Sequence, residues 1–60
     1  MTVTEAIQSA VEHFRSIGNL TPSHCDVRCY INDAIDYNRY YKRGYDQGRA
    51  FRIVRNQLAA

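Results

Sequence analysis

Residues 37–55 read YNRYYKRGYDQGRAFRIVR. The fold turns on whether this stretch belongs to one helix or two. It holds six of the eight basic residues, four of the five tyrosines, two of the three glycines and a single acid, Asp46. Upstream, from Pro22, nothing stops a helix before Gly44. At about 100° per residue, Val27, Ile31, Ala34, Tyr41 and Tyr45 share one face, with Tyr30, Ile35 and Tyr37 at its edges. Past Gly48 the phase changes. Ala50, Phe51, Val54 and Leu58 define an apolar side roughly opposite the first.

Two architectures fit this pattern. The helix can break between Gly44 and Gly48, giving a third helix that folds back. Alternatively it continues and buries its far end against another molecule. Each internal glycine costs about 1 kcal/mol against alanine, which favours a break. Against that, Gly44-x-x-x-Gly48 puts both glycines on one side, where helices pack closely. No proline or turn cluster enforces a stop, and Asp46 is a weak cap. The reading therefore favours an all-α helical hairpin whose second helix is long and kinked or broken at Gly44–Gly48, with a three-helix bundle as the alternative.

The first helix of that hairpin is well signalled. Thr2-x-x-Glu5 has capping-box spacing. Val3, Ile7, Ala10, Phe14 and Ile17 recur at steps of four and three, with Ala6 and Val11 beside them. Gly18-Asn19 supplies a left-handed stop, and Leu20 is placed to fold back over the last turn. The helix is expected over residues 3–17. Thr21-Pro22 reads as the start of the next helix, with Ser23-x-x-Asp26 as a second cap nearby. No segment alternates with the period of a strand.

Sixty residues form a single small helical domain, 1–60, with a marginal core. The charge is uneven. Residues 1–36 carry two basic against five acidic residues, net −3, and residues 37–60 carry six against one, net +5. Such asymmetry points to a polar interaction surface. A continuous second helix would run to more than about 50 Å, against about 22 Å for the first. Its uncovered end, bearing Phe51, Val54 and Leu58, would seek a partner, so a homo-oligomer or a protein complex is expected.

The N-terminal sequence lacks a basic stretch followed by an apolar run, and no apolar run approaches membrane-span length. A cytoplasmic protein without a membrane partner is expected, with Cys25 and Cys29 as free thiols. His13, His24, Cys25 and Cys29 form a metal-ligand candidate. The close Cys-x-x-Cys or His-x-x-x-His pairs of zinc sites are missing, so buried cysteines, solvated histidines and no cofactor are expected. Cys-His catalysis from His24 and Cys25 needs an oriented base and a pocket, and adjacent helical residues diverge by about 100°. The protein is read as a non-enzyme.

The strongest candidate surface is Arg39, Tyr41, Lys42, Arg43, Tyr45, Arg49, Phe51, Arg52 and Arg55. Tyrosine and arginine are enriched at interface hot spots, which favours a protein partner. A nucleic-acid partner, with arginines on phosphates and tyrosines on bases, ranks behind it. The basic residues spread around the long helix, and the sequence pI of 8.7 is modest.

In size, helical-hairpin pattern and style of N-terminus the chain resembles the very short early-region proteins of lambdoid phages. The Gly-Tyr-Asp-Gln-Gly-Arg run at 44–49 is of a kind common in small phage helices. The resemblance implies an accessory protein, made early, that influences host physiology or phage development by binding host or phage proteins. It carries over no functional residues.

Overall fold

A computed structural model of the chain describes residues 1–35 and 44–60. Among these residues there are three helices and no strand: α1 (Val3–Ser16), α2 (His24–Ile35) and α3 (Gln47–Ala59). The all-α expectation holds.

α1 begins as its sequence dictates. Thr2 Oγ1 accepts the Glu5 backbone N–H at 3.1 Å, and Glu5 Oε1 accepts the Thr2 N–H at 3.0 Å. This reciprocal pair satisfies two backbone donors that helical bonding leaves free. The helix ends in a Schellman turn. Asn19 N–H donates to Phe14 O at 2.9 Å and Gly18 N–H to Arg15 O at 3.1 Å, with Gly18 at φ 75°. Ile17 thereby leaves the apolar face and is 59% exposed. Leu20 does not fold back over the last turn and is 50% exposed. The Asn19 side chain instead accepts the Thr21 N–H at 3.2 Å, so the chain turns on an Asx bond.

α2 starts at the second of the two candidate caps. Ser23 Oγ accepts the Asp26 N–H at 3.1 Å, and the Asp26 carboxylate accepts the Ser23 N–H at 3.4 Å. Pro22 is therefore not the first helical residue. It lies before the cap and its side chain is fully buried.

The second helix does not run on unbroken through the 44–48 segment. Gly44–Asp46 lie outside any helix, and Gly44 takes φ 79°, which no right-handed helix contains. Asp46 then opens α3 by accepting the Arg49 N–H at 2.9 Å. The longest dimension of the molecule is 31 Å, too short for the extended helix. The radius of gyration, 10.7 Å, is close to the roughly 10.4 Å of a compact 60-residue domain.

Each helix packs against the other two. The core draws Ala6, Ile7, Ala10, Val11 and Phe14 from α1, Val27, Ile31 and Ile35 from α2, and Ala50, Val54 and Leu58 from α3. The far apolar set is thus consumed internally: Val54 is 0% and Leu58 4% exposed. Burying such side chains is worth about 1.5–3 kcal/mol each, more than the glycine and cap terms that left the break open in the sequence. The uncovered helix end that motivated an oligomer does not exist. No helix among the described residues is long and apolar enough to cross a membrane.

Polar and ring contacts also cross the bundle. Ser9 Oγ and Tyr30 OH are hydrogen-bonded at 2.7 Å, joining α1 to α2. His13 stacks on the same tyrosine, with ring centroids 4.7 Å apart. At the other end of α3, Arg15 Nη2 donates to Gln57 O at 3.3 Å. A cation there satisfies a terminal carbonyl and complements the negative end of the helix dipole.

Candidate functional site

Five of the nine proposed surface residues fall on described positions. Arg39, Tyr41, Lys42 and Arg43 lie outside the described residues. The remaining five divide by their place on α3 and its lead-in.

Tyr45 is half-buried and packs against the core. With Val3, Ile7, Arg49 and Ile53 it lines a cleft of about 320 Å³ between the beginnings of α1 and α3. It is a wall of the domain more than a displayed anchor.

Arg49 and Arg52 are exposed, and Arg55 is half-buried. On a straight helix these three residues, two steps of three apart, occupy an arc of about 120°, opposite the one filled by Ala50, Val54 and Leu58. α3 carries no acid anywhere along its length. The three basic residues of α3 therefore share one side of the helix.

Phe51 sits at the border of that face. It is half-buried and packs on the core. Its ring lies 5.0 Å from the His24 ring, and the Arg55 guanidinium carbon lies 5.5 Å from the Phe51 ring centroid, within cation–π range. Arg55 Nη1 also reaches Pro22 O at 3.5 Å. Phe51 and Arg55 thus tie α3 to the start of α2. His24 and Pro22 belong to this cluster, although the sequence marked neither as part of the surface. Complementary phase between α2 and α3 was the only signal for it, and the reading of one long helix concealed it.

The metal-ligand candidates do not converge. His13 and His24 are occupied with Tyr30 and Phe51 respectively. Among the described residues, no group of three or more His, Cys, Asp or Glu side chains is placed to hold an ion. The cysteines are not buried as expected: both are exposed. Val27, Ile31 and Ile35 define the buried side of α2, and positions 25 and 29 fall about 160° from Val27 on either side. The two sulfurs are in contact at 3.9 Å. Hydrogen bonding to Cys25, reinforced by charge repulsion from it, pushes the Cys29 thiol above the ordinary cysteine range.

No protein-family model matches the sequence, no curated protein matches it, and no solved structure matches the fold.

Proposed function

We propose that the protein is a non-enzymatic interaction module that docks an acidic protein surface through the outer face of α3. The observation that carries this reading is the arginine face itself. Arg49, Arg52 and Arg55 stand opposite the core-facing side of a helix that holds no acid. Arginine presents a rigid fork of donors suited to carboxylates, and Phe51 at the edge supplies apolar area. The resemblance to short early-region phage proteins supports the same reading at the level of biology: an accessory factor that modulates host physiology or phage development by binding a host or phage protein.

Nucleic acid is the second reading, favoured by the same clustering of positive charge. A phosphate backbone would be held by the arginines with strong salt dependence.

Charge reversal separates these readings from an inert surface. Arg49→Glu/Arg52→Glu leaves Phe51 and the core untouched. Wild-type protein immobilised on resin is expected to retain a discrete protein from bacterial lysate that the double variant loses. Identical retention by both would remove α3 as the site. A mobility shift with duplex or single-stranded oligonucleotides at low salt, weakening steeply as salt rises, would transfer the assignment to nucleic acid.

A further inference from the structure

Cys25 and Cys29 take no part in the core or in the α3 face. They are exposed, so they are not filling space in the interior. Their spacing of four residues places them one above the other on α2. The helix holds both Cβ atoms, and Sγ–Sγ is 3.9 Å.

That separation has a chemical meaning. A tetrahedral ion bonded to two thiolates at about 2.3 Å holds its sulfurs about 3.8 Å apart. The pair already stands at the edge length of such a chelate, and binding requires almost no rearrangement. A disulfide, by contrast, requires the sulfurs to close to about 2.05 Å and so to shift the first turns of α2. Arg28 adds a second feature. Its Nη2 lies 3.9 Å from Cys25 Sγ, where a guanidinium offsets the charge of a bound dithiolate.

We propose that Cys25 and Cys29 form a two-thiolate chelate for a soft d10 metal ion such as Zn²⁺, Cd²⁺ or Cu⁺. Thiolate sulfur is the ligand that selects this class over hard cations. Each thiol gives up its proton to solvent as its sulfur binds the ion, with no change of oxidation state. The chain supplies two positions of the coordination sphere. For a tetrahedral ion the other two are filled by water, or by the same pair from a second chain when protein is in excess. This site is independent of the α3 arginine face, so neither assignment depends on the other.

Cadmium titration of the full chain, reduced with a phosphine, tests the proposal through the sulfur-to-metal charge-transfer absorption. The band is expected to saturate at one ion per chain, or one per two chains at excess protein. Cys25→Ser and Cys29→Ser are each expected to bind at least roughly tenfold more weakly, because the second thiolate then no longer binds intramolecularly. Circular dichroism of the metal-free variants checks that they fold, and wild-type protein alkylated at both thiols gives the same comparison without mutation. Absence of the band in wild type, or single serine variants that titrate like wild type, would overturn it.

Discussion

The Asp46 carboxylate accepts the Arg49 backbone N–H at 2.9 Å, and this bond begins α3. The same carboxylate sits where the helix N-terminus is positive, so the charge and the hydrogen bond act together.

Asp46→Ala is expected to destabilise the fold by about 0.5–2 kcal/mol, and Asp46→Asn by much less, since asparagine also caps. In a domain of this size each kcal/mol moves Tm by roughly 4–8 °C, readable by circular dichroism. Equal Tm values for the alanine variant and the wild type would show that the cap is not needed to start α3.

The two glycines of the 44–48 segment should respond in opposite directions. Gly44 is at φ 79°, where an L side chain costs about 1–2 kcal/mol, so Gly44→Ala lowers stability. Gly48 lies in the first turn of α3, and an added Cβ there meets only Asp46 Oδ1 at 3.6 Å, an ordinary contact. Gly48→Ala should raise stability by about 0.4–1 kcal/mol. Urea denaturation of the two variants gives the signs directly.

The Ser9–Tyr30 bond should appear as a coupling energy. Ser9→Ala and Tyr30→Phe each remove one partner of a 2.7 Å, partly buried hydrogen bond. Each is expected to cost about 0.5–1.5 kcal/mol. The double variant should cost clearly less than the two together, because the second change no longer leaves a partner unsatisfied. Strict additivity in the double-mutant cycle would mean that the two hydroxyls do not interact in solution.

Stability should weaken in acid through Glu5. Bonding to the Thr2 backbone N–H, then to the Thr2 side chain, holds its carboxyl below the ordinary value of 4.5. A folded pKa below the unfolded one gives stabilisation that is present above 4.5 and lost as pH falls through the folded value. Glu5→Gln keeps the capping geometry but cannot titrate. The wild-type advantage over Glu5→Gln should therefore shrink as pH falls below 4.5 and through the folded value. A difference that stays constant over that range would exclude the Glu5 contribution.

How much of this was legible in the sequence depends on the range of the forces involved. The start of α1 was legible because Thr2 and Glu5 satisfy each other's backbone within one turn. Its apolar face was legible because Ile7, Ala10, Val11 and Phe14 repeat with the helical period. The exposure of the cysteines was legible too, in principle. Their positions on the wheel lie away from Val27 and Ile31, but the general tendency of cysteine to be buried suggested otherwise. Of the candidate surface, Arg49 and Arg52 are exposed on α3. Tyr45 and Phe51 are partly taken up by the core, which a residue-type argument does not reveal.

The sequence by itself determined an all-α chain, its first helix, a turn around Gly18-Asn19 and its uneven charge, because caps, periodicity and composition act locally. Only the tertiary structure decided that the chain breaks at Gly44–Asp46. Locally, a glycine penalty and a modest cap stand within about 1 kcal/mol of the alternative. The choice is made by burying Ala50, Val54 and Leu58 against α1 and α2, a gain that exists only when residues far apart in the sequence meet. The same burial leaves Arg49 and Arg52 exposed on the other side of α3, with Arg55 half-buried beside them.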